Sequence, residues 1–388
     1  MRLHDLTEFF RLSSALNYNL SSASLNRYNV LMFIIGGKRL HEDENIDRDQ
    51  KGVLMEALNY LYSAYSQKRR RLGPMAVLHP LRATALLART LDALNLSELL
   101  TALFHDILED INSTDFKVQQ WKDMEGQLDA LLNRLDPEDE GQLVERLLCL
   151  TRLEKESYFQ YIGRMLEGSD YSPDILHVKL ADRLDNTLDM RMDLRDPLEG
   201  IDFYQNIFQL MFVNSYRGYE PEAGHPPPAP LNGARRLYQL FKNAVLLSLI
   251  RQHGNISMDK PSEILFDSIC EASLNEAKRT LIHILGYHLG DVAGQRTLLL
   301  EAMDYCYSGG TDLATRPDEG HLMDGLFSTY FGSVSSAVRN KKLDTLYQNK
   351  PLMTQASIAF IVIFLSFLND PAYYVKGISS EGIAPRES

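Results

Sequence analysis

The sequence predicts an all-α protein. Three observations carry that expectation. Apolar residues recur at spacings of three and four through most of the long runs, as in the two runs within residues 131–168 that break near Pro137. Period-two alternation, the mark of a half-buried strand, is scarce. The one Asn-Gly pair, Asn232-Gly233, lies in a proline-rich stretch and not between two strand-like runs.

The elements follow in order. Residues 47–71 read as one helix, with Asp47 or Asp49 as its cap, the basic cluster Lys68-Arg69-Arg70-Arg71 at its end and Gly73-Pro74 as its stop. His79-Pro80 opens the next helix, with Pro80 in the tolerated first turn, and 81–94 continues it. Ser97 is the expected cap of a helix over 98–110, and Asn112-Ser113-Thr114 the following break and new cap. Residues 177–186 are helical in pattern. So are 235–254, 263–289 and 295–310 in the back part. The longest apolar run, Ile358 to Leu368, is too short for a bilayer and reads as a buried helix or strand.

The 388 residues suit one large or two medium domains. Residues 217–233 hold five prolines and three glycines and read as a linker or loop. They divide a front domain with an N-terminal helical extension, 1–216, from a helical C-terminal domain, 234–388. Composition is ordinary for a globular chain, at 45% hydrophobic and 24% charged. The formal net charge of −12 argues against nucleic acid as a partner, because a phosphate backbone calls for a basic footprint. A small phosphorylated ligand in a local basic pocket remains open. Cys149, Cys270 and Cys306 form no CxxC motif, which fits a reducing compartment. The first residues have neither the apolar core nor the cleavage site of a secretory signal. The expectation is therefore a cytoplasmic protein with no membrane segment.

Chemistry concentrates at a few positions. On a helix over 98–110, His105, Asp106, Glu109 and Asp110 share one narrow face, with Leu103, Phe104, Ile107 and Leu108 anchoring the others. Such a face is costly to bury without a partner, and a cation supplies one. Asp182 and Asn186 share another helical face, with Lys179 and Arg183 beside Asp182 to neutralise charge or reach a phosphate. His79 precedes His105 by the span of a short helical hairpin, which brings the two histidines to one end. Together His79, His105, Asp106 and Asp182 make a mixed nitrogen/oxygen set for one divalent transition ion. His177, His283 and His288 read as structural. The chain has no GxSxG and no GxxxxGK[ST].

His-Pro at 79–80, LFHDILED at 103–110 and VKLADRLDN at 178–186 resemble the HD phosphohydrolases, and more narrowly the hydrolase domain of the RelA/SpoT alarmone enzymes. The resemblance covers about residues 50–215 and lies mainly in the motifs. It implies an HD-domain helical bundle followed by a second helical region. It implies a manganese ion, or another divalent transition metal, on His79, His105, Asp106 and Asp182. Glu109 and Asp110 would orient or deprotonate the attacking water. Asn186 would contact the substrate, and Arg70 would pack on a guanine base. The implied reaction removes the 3′-pyrophosphate of guanosine tetra- or pentaphosphate. The chain departs from the family at Leu72–Ala76, where a Ser-Gly-Glu-Pro-Tyr loop is usual. It also departs at Asp185, where the motif has histidine, and at Thr187-Leu188-Asp189, where Met-Arg-Thr is usual. The alternatives are another phosphorylated nucleotide or a non-catalytic, ligand-sensing HD scaffold. The C-terminal helices leave room for a homo-oligomer, and nothing in them resembles the synthetase domain of long family members.

Overall fold

The computed structural model describes residues 27–66, 68, 76–188, 202–212, 233–253, 258–309 and 323–383. The fold is all-α: the sole strands among the described residues are a two-residue antiparallel pair, β1 (Ile378–Ser379) and β2 (Gly382–Ile383). The chain forms two compact units. The first contains residues 1–153, 165–186 and 256–268; the second contains 154–164, 187–255 and 269–388. These units do not follow a single cut at the proline-rich stretch, most of which (217–232) lies outside the described residues.

The first unit is built from short helices. α1 (Arg27–Ile35), α2 (Glu44–Ala64), α3 (Leu78–Thr90) and α4 (Leu96–Phe104) pack on one another. Leu58, Leu61, Leu81, Leu86 and Leu100 are among the side chains wholly removed from water. Each contributes roughly 1.5–3 kcal/mol relative to exposure. α5 (Ile107–Asp110), α6 (Val118–Leu132) and α7 (Pro137–Leu150) follow, the last with Pro137 in its first turn as the sequence suggests. α8 (Tyr158–Ser169) gives its last turn to this unit. There a Cβ on Gly168 would lie 2.5 Å from Cys149 Sγ, so only glycine admits the approach. α9 (Asp174–Leu188) supplies its residues up to Asn186.

Several boundaries differ from the sequence reading. Asp43 caps α2, accepting from the backbone N–H of Asn45 and Ile46. Asp47 is instead buried inside the helix, where it accepts from Leu40 N and Lys51 Nζ. α2 also stops at Ala64, before the basic cluster. Tyr65 leaves the helix at φ −96°, ψ 7°, and its ring is buried. Asn95, not Ser97, caps α4 through a bond from Glu98 N, because the helix starts two residues earlier than expected. After Asn112 a single 3₁₀ turn, Ser113–Asp115, intervenes before α6. The expected helix over 98–110 is broken in two at His105-Asp106, and Leu108 consequently faces solvent.

The second unit is organised around α11 (Gly233–Gln252) and α15 (Lys350–Asn369). α10 (Phe203–Phe212), α13 (Val292–Asp304), α14 (Ser336–Gln348) and the later part of α12 (Lys260–His288) complete it. An aromatic core joins them, with Phe241 5.1 Å from Phe327 and Phe327 5.6 Å from Phe360, ring centre to ring centre. The apolar run at 358–368 is part of a helix of 20 residues, because the uncharged stretch Leu352–Ser357 extends it toward the N-terminus. By length and composition this helix is able to cross a membrane, contrary to the sequence reading. Its apolar window is 72% buried inside the protein, and core helices pass the same test.

Candidate metal centre

His79 enters the site from the first turn of α3, and Asp182 from the middle of α9. His105 and Asp106 enter from the junction of α4 and α5. On an uninterrupted helix, consecutive side chains diverge by about 100°. Asp106 lies at φ −101°, ψ 0°, outside the helical region, and this break aims both members of the dipeptide at one point.

The four residues offer donor atoms that all lie within 4.8 Å of one another. His79 Nε2 is 3.1 Å from Asp182 Oδ1, 3.2 Å from Asp106 Oδ2 and 3.2 Å from His105 Nε2. His105 Nε2 is 3.4 Å from Asp106 Oδ2 and 3.8 Å from Asp182 Oδ1. The side chains of His79, His105 and Asp182 are 4%, 3% and 6% exposed against 30% for Asp106, so the cluster meets solvent on the Asp106 side.

The outward-facing nitrogens fix the tautomers. His105 Nδ1 is 2.7 Å from the carbonyl of Ala102, which can only accept, so Nδ1 carries a hydrogen. His79 Nδ1 donates to Asp185 at 2.7 Å. In the neutral rings both Nε2 lone pairs therefore point into the cluster, beside two carboxylates. Four electron-pair donors with no N–H or O–H among them suit a cation.

The electrostatics describe the same cluster with hydrogens on its imidazoles, the positive charge that a metal ion would replace. Burial opposes ionising Asp106, but the His105 and His79 imidazoles outweigh it and hold the carboxyl well below its ordinary range. Asp182 is likewise held low against burial, chiefly by Lys179 and then by the two histidines. Burial resists charging His105, yet the Asp106 and Asp182 carboxylates raise its pKa.

Glu109 and Asp110 flank the cluster and behave differently. Burial raises both pKa values, and the negative charge of Asp106 adds to each. Glu109 Oε1 accepts from Arg152 N at 2.7 Å, and Asp110 Oδ2 accepts from the Tyr65 hydroxyl at 3.0 Å. The break at Asp106 means that these carboxylates do not share one straight helical face with His105.

The expected substrate contacts fall out unevenly. Lys179 Nζ donates to Asp182 Oδ2 at 2.7 Å, and Asn186 Nδ2 donates to Asp182 Oδ1. Both therefore brace a member of the cluster. Arg183 is buried in α9. Arg70 lies outside the described residues. Lys68, from the same basic cluster, pairs with Asp115 at 2.9 Å.

Four contributors escaped the sequence reading: Tyr65, the Arg152 backbone, Arg82 and Asp185. Arg82 follows His79 by three, and Asp185 follows Asp182 by three, so each shares a helical face with a cluster member. That spacing was the available signal.

A second acidic group, Glu98, Asp174 and His177, also lies within ligand range. It already contains its own cations. His177 Nδ1 is 2.8 Å from Glu98 Oε1, its Nε2 is 2.9 Å from both Asp259 carboxylate oxygens, and Arg146 pairs with Asp174 at 2.9 Å. His177 is thus a buried structural histidine. His283 is half-buried in α12.

No family model, curated protein or solved structure matches the chain.

Proposed function

We propose that the chain is a metal-dependent phosphohydrolase acting on a small phosphorylated nucleotide. The 3′-pyrophosphate of guanosine tetra- or pentaphosphate is the substrate its motifs point to. One observation carries the reading: two imidazole nitrogens, with their tautomers fixed from behind, converge on the oxygens of two carboxylates at one partly open, otherwise buried point.

His79, His105, Asp106 and Asp182 would hold the ion. A divalent transition ion such as Mn²⁺ suits this donor set, and when bound it supplies Lewis acidity toward water and a phosphoryl oxygen. The protein's own groups do the rest. Glu109 keeps one oxygen on Arg152 N, which leaves the other to orient a water and take its proton. Asp110 does the same from a carboxyl steadied by Tyr65, whose hydroxyl is held protonated by burial and by the charges of Asp110 and Asp106. Lys179 and Asn186 hold Asp182 in place and offset its charge.

Another phosphorylated nucleotide is the second reading. Asp185 stands where the alarmone motif has histidine and is turned inward onto His79, so this position does not reach a substrate.

The test is direct. The purified chain is assayed with Mn²⁺ against a nucleotide panel that includes guanosine 3′-pyrophosphates, with Asp106→Ala alongside. Release of pyrophosphate by the wild type and not by the variant is expected. Release of orthophosphate from other nucleotides selects the second reading. Nucleotide binding without turnover would return the chain to a sensing scaffold, and no metal uptake sinks the proposal.

A further inference from the structure

Behind His79 lies a charged pair that stability alone does not explain. Arg82 Nε donates to Asp185 Oδ1 at 2.7 Å and Nη2 to Oδ2 at 3.0 Å, a two-point clamp. Asp185 is wholly buried and Arg82 nearly so. Apolar residues of similar size in such a place are often as stable or more so, because burying two charges costs desolvation that their attraction scarcely repays. The pair therefore has some other use.

Its geometry shows one. Asp185 Oδ2, besides taking Arg82, accepts the Nδ1 hydrogen of His79 at 2.7 Å. This bond fixes the ring's orientation and keeps the Nε2 lone pair on the side of the cluster. Arg82 holds the carboxylate ionised and stops it from swinging round to join Asp106 and Asp182. The two histidines are thus backed differently. His105 leans on a neutral carbonyl, Ala102 O, and His79 on a full negative charge. A charged acceptor behind an imidazole makes its free nitrogen a stronger donor to a metal.

We infer that Asp185 and Arg82 are positioning residues for His79, and that the charge of Asp185 sets how tightly the centre holds a divalent ion. This rests on the metal-site reading above. It adds a pair of residues that the resemblance does not supply, since the motif has histidine at position 185.

The experiment measures Mn²⁺ affinity by calorimetric titration, and thermal stability, on the full chain and two variants. Asp185→Asn keeps an acceptor for His79 but removes the charge and strands Arg82. The double variant Arg82→Gln/Asp185→Asn replaces the ion pair with a neutral, hydrogen-bonded one. The single variant is expected to lose roughly 10–100-fold in Mn²⁺ affinity and to melt lower. The double variant is expected to regain its melting temperature while its affinity stays low. That split separates a tuning role from a structural one. If affinity recovers with stability in the double variant, or if neither variant binds more weakly than the wild type, the inference is overturned while the metal centre stands. A wild-type chain that takes up no Mn²⁺ overturns the metal centre and this inference together.

Discussion

At the scale of single residues, what matters is which atom of a side chain is already taken. Spacing in the sequence placed Asp182 and Asn186 on one helical face with Lys179 beside Asp182, but could not say that both donors would turn inward to Asp182. Glu109 is the opposite case. One oxygen is tied to Arg152 N, and its raised pKa makes the carboxyl a stronger base than an ordinary glutamate. Glu109→Gln keeps the main-chain bond and removes the base. Its turnover is expected to fall about 10²–10⁴-fold with Mn²⁺ affinity near the wild-type value. A parallel loss of affinity would instead place Glu109 among the ligands. The four cluster residues were legible because each sits in a recognisable stretch of sequence. Asp185 and Arg82 were not, because their function lies in a contact across 103 positions of the chain.

At the scale of elements, helix type and order were largely legible, and helix ends were not. The period of apolar residues survives small errors at the termini, whereas a cap depends on one side chain. Asn95→Ala, which removes the bond to Glu98 N, is expected to cost about 1 kcal/mol in denaturant unfolding, while Ser97→Ala at the position read as the cap should do so only through its contact with Arg146. A pH effect belongs to this scale too. His177 on α9 bridges Glu98 on α4 and Asp259, the residue whose side chain and carbonyl receive the first N–H groups of α12. Burial opposes the charge on its ring, but hydrogen bonds to the two carboxylates win and raise its pKa to about 8. The folded value lies above the unfolded value of about 6.5. The clamp's contribution is therefore complete below about pH 6.5 and is lost as pH rises through about 8. Its size is about 2 kcal/mol at most, since burial also pushes the Glu98 pKa up and offsets part of it. Arg146 and Asp174, paired with each other at 2.9 Å, also face this group. The loss of stability from pH 6 to pH 9 should be larger in the wild type than in His177→Gln, by up to this amount. An equal difference in both chains would remove His177 as the cause.

At the scale of the whole molecule, the proposed ion binding would be coupled to folding. If the cluster holds Mn²⁺, the ion at about a hundred times its dissociation constant would add about 2.7 kcal/mol to the folded state. The melting temperature should rise with Mn²⁺, fall back with chelator, and not respond to either in Asp106→Ala. The way the chain is shared between its two units has a separate consequence. The site-bearing unit is assembled from 1–153, 165–186 and 256–268, so no uninterrupted stretch of sequence contains it alone. A fragment ending at residue 216, the cut that proline content recommends, would lack Asp259 and leave His177 Nε2 without its carboxylate. A fragment ending at 268 would keep Asp259 but expose the apolar face of α11, cut off from α15. The gene cannot be divided where the protein is: whatever the second unit does, it is inherited, expressed and mutated as part of the same covalent circuit as the candidate metal centre.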